Sequence, residues 1–187
     1  MKHLATLIFL SVMLVLIIPL QAQADISFQP TIRHRRGALG VGYGLCYAGL
    51  GFNGDFNFND DIAVSGSIGS FSYVGGYELG LKYYFLAFDK HVRPKLSVWY
   101  GVNGLVHVTP PETTGLPRIT EAHQGFTIGA GGEWMFGSKR RHGVDFDILY
   151  IVYTTQSKRI EELESQGYPK FVRSTPILYS LGYRYAF

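Results

Sequence analysis

From Gly37 onward, large apolar or aromatic residues alternate with small or polar ones in eight successive segments, near 37–48, 51–59, 62–72, 76–86, 93–108, 124–137, 144–156 and 176–187. Strict alternation sends successive side chains to opposite faces of a strand. The pattern therefore predicts eight antiparallel strands of roughly ten residues, the even number and the length that a transmembrane barrel needs, because lipid tolerates no open sheet edge. Helical periodicity is scarce. The one candidate, 157–166 (SKRIEELESQ), is short and highly charged and is read as a loop turn.

The connections alternate in kind. The second, fourth and sixth (DD, AFDKHV and SKRRHG) are short, whereas the fifth and seventh (TPPETTGLPRITEAH and SKRIEELESQGYPKFVRST) are long; the first and third, at Gly49 and Gly75, are tight. Short turns at one end and longer loops at the other are the arrangement of an outer-membrane barrel whose N-terminus is periplasmic.

Charge sharpens this reading. When the outward face of each strand is chosen by its large apolar residues alone, it carries Leu39, Val41, Tyr43, Leu45, Phe52, Phe56, Val64, Ile68, Leu79, Leu81, Val98, Tyr100, Val102, Val106, Ile128, Trp134, Phe146, Ile148 and the aromatic set of 177–187. No charge falls on that face, where a Lys or Arg at the bilayer midplane would cost about 2–4 kcal/mol. Asp55, Glu78, Lys82, Lys95, Glu133, Asp145, Asp147 and Arg184 take the opposite parity among glycines and serines. A soluble lipocalin-like barrel, the alternative periplasmic ligand binder, would place its apolar face inside.

The first residues, MKHLATLIFLSVMLVLIIPLQAQA, combine a basic start, an apolar run and small residues at Ala22 and Ala24. That layout predicts a cleaved signal peptide at 1–24, a periplasmic N-terminal segment at 25–36 and a barrel domain at 37–187. A formal net charge of +3 is too balanced to argue for nucleic acid. Cys46 is the single cysteine, so no internal disulfide forms, and it does not follow the signal as a lipid-modified cysteine would. The glycine-rich G-x-G segments lie in strand patterns with no helix following, which excludes a nucleotide fingerprint. No cofactor or metal is predicted.

With its leader, its eight alternating segments and its final stretch ILYSLGYRYAF, the chain resembles the small eight-stranded outer-membrane barrels of Gram-negative bacteria, the class of the OmpA transmembrane domain and OmpX. The resemblance implies a monomer exported to the outer membrane, in contact with lipopolysaccharide and phospholipid. It also implies a terminal signal read by the barrel assembly machinery, carried here by Ser180, Gly182, Tyr185 and Phe187.

Eight strands leave an interior just wide enough for side chains to fill. Lys82, Lys95, Arg184, Glu133, Asp145 and Asp147 are expected to form an interior ion network, with Asp147 near Arg184 and Lys82 near Lys95 and an acid. Buried charges must be paired, so a structural plug is favoured over catalysis. Tyr47, Tyr73, Tyr83, Tyr100, Trp134, Tyr150 and Tyr183 are candidates for interfacial belts. The basic runs 33–36 and 139–142 fall at the periplasmic rim, where anionic lipid headgroups lie.

The enzyme alternative is a lipid A acyl hydrolase, which needs an acid, a histidine and a hydroxyl at one rim. His107, Glu121 and His123 fall together there, but no serine is placed beside them and His107 takes the inward parity. The mixed charge of the long loops (Arg118, Lys158, Arg159, Lys170 and Arg173 against Glu112, Glu121, Glu161, Glu162 and Glu164) suits a surface-interaction role or plain solvation.

Overall fold

Alternation of this kind buries one face of each strand when the sheet closes on itself, and it does. The computed structural model describes residues 35–72, 74–111, 115–171 and 175–187. The predicted signal peptide at 1–24 and nearly all of the 25–36 segment lie outside the described residues. Eight strands follow in chain order: β1 (Gly37–Gly44), β2 (Gly49–Asn57), β3 (Ile62–Phe71), β4 (Val74–Tyr84), β5 (Val92–Val108), β6 (Ile119–Phe136), β7 (His142–Thr154) and β8 (Ile177–Ala186). Each pairs antiparallel with the next, and β8 pairs with β1 from Ala38↔Ala186 to Gly44↔Ser180, closing an up-and-down barrel.

The faces separate cleanly over most of the wall. Leu39, Phe52, Ile68, Leu79, Trp134 and Tyr179 are each about three-fifths or more exposed, while every charged side chain of the strands between Gly37 and Val98 is buried inside. Tyr83, Tyr100, Trp134, Tyr150 and Tyr183 also face outward. Tyr73 lies outside the described residues.

Three local departures from plain alternation shape the interior and the loop end. The first is at the end of β1. Leu45 and Tyr47 were expected on the outward face, but the chain leaves β1 through Gly44 (φ 114°), forms a 3-10 turn at Leu45–Tyr47, and returns through Ala48 (φ 53°) and Gly49 (φ 93°) to β2. Glycine adopts such angles without steric cost. The turn folds into the barrel, leaving Leu45 3% and Tyr47 1% exposed. Tyr47 is thus part of the filling and belongs to no interfacial belt.

The second departure is a β-bulge in β5. Val102 pairs with Gln124 but Gly104 with His123, so Asn103 is an extra residue. One extra residue reverses the parity beyond it. Val106, expected outward, is buried, and His107, expected inward, is exposed; Val102, beside the bulge and also expected outward, is buried as well. A matching irregularity lies between Phe126 and Thr127 on β6, opposite β7.

The third is a helix. The segment expected to form a loop turn is α1 (Gln156–Ser165). β5 runs on past Gly101, where its pairing with β4 stops, and continues with β6 alone to Val108↔Ile119. The buried Val106, Leu163 and Tyr168 form a small core there, with Val108, Leu116, Ile119, Ile160 and Phe171 packed against it. An apolar stripe on α1 too short to stabilise a free helix is held by this extension, which is why charge composition alone misreads it.

Candidate functional site: the filled interior and the loop-end cap

Inward-facing positions of β2, β4, β5, β6, β7 and β8 bring charges into one connected group. Arg184 is its hub: one guanidinium nitrogen lies 2.9 Å from Glu133 and 3.0 Å from Asp145, and the other binds Asp55. Asp55 also accepts from Lys82 at 3.0 and 3.1 Å and from the Ser65 hydroxyl. Lys95 lies 2.5 Å from Asp145 and 3.0 Å from Asp147. Asp147, expected beside Arg184, sits instead at Lys95 and receives the Cys46 thiol at 3.6 Å. The cause is register: Gly182 faces Asp145 across the β7–β8 pair, and Asp147 faces Ser180, so Asp145 is the nearer acid to Arg184.

Two groups of this interior are not among the residues expected to form the ion network. Asp55, placed inward by its parity, bridges Lys82 and Arg184. Arg93 opens the segment 93–108, directly after a turn and at the same parity as Lys95. Its guanidinium is held between the rings of Tyr84 (3.8 Å) and Phe88 (3.9 Å), 3.3 Å from Glu133, and donates to the carbonyls of Leu86 and Asp60. Tyr84 donates to Glu133 at 2.6 Å. Arg93 thereby fills the end of the barrel that carries the short turns.

Towards the loop end the filling becomes apolar. Leu45, Cys46 and Tyr47 pack with Trp99 and Leu149. The Cys46 amide donates to Ser180 Oγ at 2.9 Å, and the Cys46 carbonyl accepts from Asn53 at 3.2 Å. The Tyr47 ring lies over Gly42 and Gly182, where a side chain would collide with it, and near Gly40, where a Cβ would stand a tight 3.2 Å from it. Ser180 and Gly182 therefore hold the inturned segment, while Tyr185 and Phe187 face outward. At the turn end, Arg35 donates to the Lys139 carbonyl at 3.2 Å and Arg140 to that of Asp89, bringing the two basic runs together.

The loop-end cap contains the residues weighed for hydrolysis. His123 lies between Thr155 Oγ1, at 3.4 Å from Nδ1, and Glu121, at 3.6 Å from Nε2. Thr155 is the hydroxyl that a search for serine overlooks. Glu121, however, is held by two 2.9 Å hydrogen bonds from Arg159, which also reaches Glu162 at 3.1 Å. These bonds hold the Glu121 carboxyl below its ordinary range, and its partner carboxylates raise Arg159. Partial burial lowers His123. The Thr155 hydroxyl also lies 3.3 Å from the Gln124 carbonyl, and His107 lies 3.0 Å from Thr120. The acid is thus committed to a cation rather than to orienting the imidazole.

Of the remaining loop charges, Arg118 donates to Thr109, and Glu164 accepts from the Phe171 amide. Lys158, Glu161 and Lys170 point to solvent; Glu112 and Arg173 lie outside the described residues.

No protein-family model matches the chain, and no curated protein matches it. Among solved structures it is similar to the N-terminal β-barrel domain of Pseudomonas aeruginosa OprF, with a TM-score of 0.55 and 16% sequence identity over 83% of this chain and 100% of that one. In fold, this chain is an eight-stranded antiparallel up-and-down barrel of the same kind as that domain.

Proposed function

We propose that the chain is an integral outer-membrane barrel with a structural or surface-interacting role, filled by side chains and without an open pore. The observation that carries this reading is the division of the wall: large apolar side chains face outward around the whole circumference, and the strand charges face in. Lipid, lipopolysaccharide and phospholipid alike, is the solvent that such a wall suits. The interior supports the absence of a pore, because the Arg184 group and the Leu45–Tyr47 turn succeed one another along the axis. In this reading Ser180, Gly182, Tyr185 and Phe187 also present the closing strand to the barrel assembly machinery, and the basic pair of turns meets anionic headgroups of the inner leaflet.

Outer-membrane fractions run on a cold detergent gel test the proposal. The full-length chain should appear in that fraction and change mobility on boiling, and deletion of Phe187 should lower the amount that does so. A soluble periplasmic product with no mobility shift would overturn the membrane reading in favour of a ligand-binding barrel.

The Thr155, His123 and Glu121 row is the one observation favouring a lipid A acyl hydrolase. Its long contacts and the Arg159 clamp favour a structural role. Lipid A from cells making the His123→Ala protein should be acylated as in cells making the unchanged one; a difference in acylation would establish the enzyme.

A further inference from the structure

Among the described residues the interior holds four buried cations, Lys82, Arg93, Lys95 and Arg184, and these meet four carboxylates, Asp55, Glu133, Asp145 and Asp147. Glu78 is a fifth carboxylate, 1% exposed, and among the described residues no ion pair or hydrogen bond reaches it; its Oε1 is fully enclosed. Two more enclosed oxygens without a partner, Ser67 Oγ and Asn53 Oδ1, lie on the neighbouring strands. All three belong to one row, since Asn53 faces Ser67 across β2–β3 and Ser67 faces Glu78 across β3–β4. Paired strands stand about 4.8 Å apart, so the inward side chains of this row lie side by side at one level of the interior.

The surroundings fix these oxygens rather than satisfy them. Asn53 donates its amide to the Cys46 carbonyl, which orients Oδ1 away from that bond. Gly101 faces Glu78 on β5, and a Cβ there would stand 2.5 Å from Glu78 Oε2. The glycine leaves room for the carboxylate. One position nearer the ion group on the same face is Gly80, covered by the Trp99 ring, which lies 5.3 Å from the Lys82 ammonium. The ring stands between the levels of Glu78 and Lys82 and keeps the nearest cation from the carboxylate.

We propose that Asn53 Oδ1, Ser67 Oγ and Glu78 Oε1 form a binding site for one monovalent alkali cation. An ionised carboxylate is costly to bury without a counter-charge. Asn53 Oδ1 and an ionised Glu78 carboxylate only accept, and the single Ser67 hydroxyl proton serves one of them at most, so the set still lacks a donor or a positive charge. Oxygen ligands select a hard ion. A single carboxylate balances one positive charge, whereas a divalent ion would add a surplus charge to an interior already holding four cations.

The test is urea unfolding of the full chain refolded in a zwitterionic detergent, followed by tryptophan fluorescence, in sodium or potassium chloride against N-methylglucamine chloride at equal ionic strength. A ligand bound only by the folded state raises the midpoint, here by on the order of 0.5 M urea for each tenfold excess of ion over its dissociation constant. The rise should vanish in Glu78→Gln and shrink in Ser67→Ala. Equal midpoints in all salts, a rise that persists in Glu78→Gln, or a rise with calcium alone would each overturn the proposal. Where Glu78→Gln does not fold, crystals of the unchanged protein soaked in thallium salt decide: an anomalous peak among the three oxygens supports the site, and its absence refutes it.

Discussion

The ring of Tyr47 lies across Gly182, so close that a Cβ on residue 182 would fall on the phenol. The glycine of the closing strand and the tyrosine of the first connection are therefore one fitted contact, joining the two edges that close the barrel. Gly182→Ala should destabilise the purified barrel by about 1–3 kcal/mol, the usual cost of overpacking. Tyr47→Ala in the same chain should remove that increment, as a double-mutant cycle of urea midpoints would show. A glycine serving only as an assembly address would produce no such defect in refolding without the assembly machinery.

Asp55 accepts from Lys82, Arg184 and Ser65 together. Replacing it with Asn leaves two enclosed cations short of an acid, which costs about 3–5 kcal/mol when a buried pair is broken. Ser65→Ala should cost only about 1 kcal/mol. Unfolding midpoints of the two variants would order them, and a reversed order would discount Asp55 as a junction of the interior.

Leu163 joins α1 to the extension of β5 and β6. Leu163→Ala should weaken the cap by about 2–5 kcal/mol and leave the eight strands paired. Trypsin should then cut at Lys158 or Lys170 much faster than in the unchanged protein, while the folded band on a cold gel keeps its mobility. Loss of that band would mean that cap and barrel fold as one unit.

The Arg159 bond to Glu121 gives the same cap a pH dependence. Because the folded carboxyl titrates lower than an ordinary glutamate, its contribution is present above the ordinary value of 4.5 and lost as the pH falls through the lowered one. Protection of α1 from acid-tolerant proteolysis should therefore persist at pH 5 and decline only below 4.5, and Glu121→Gln should abolish that decline.

Cys46 lies inside the barrel, 1% exposed, with its amide and carbonyl both bonded. A maleimide should leave the folded protein unlabelled over hours and react once urea unfolds it. Labelling of the folded band would show that the Leu45–Tyr47 turn leaves the interior.

The wall was legible because period-two alternation is a property of each strand alone, and the inward parity of Lys82, Glu133 or Arg184 follows from it directly. What could not be read were features that depend on one residue more or fewer. Strict alternation carried Leu45 and Tyr47 outward because no local signal marks where β1 ends; only the positive φ of Gly44 and Gly49 reveals it. The partner of Arg184 depended on register between strands, which the pattern within one strand does not contain. Arg93 shares the parity of Lys95, but its partners Tyr84, Phe88 and Glu133 depend on how the turn end folds, and α1 was masked by a charged surface whose buried face needs β5 and β6 to be seen.

The extra residue at Asn103 has a consequence for how this chain can change over time. On one side of it, outward side chains answer to hydrocarbon in the membrane setting proposed above; on the other, Val106 and its neighbours pack on one another. Substitutions in the cap can thus be accepted or rejected by a separate set of demands, without renegotiating the outward-facing wall. A single inserted residue partitions one continuous hairpin into two surfaces free to diverge at different rates.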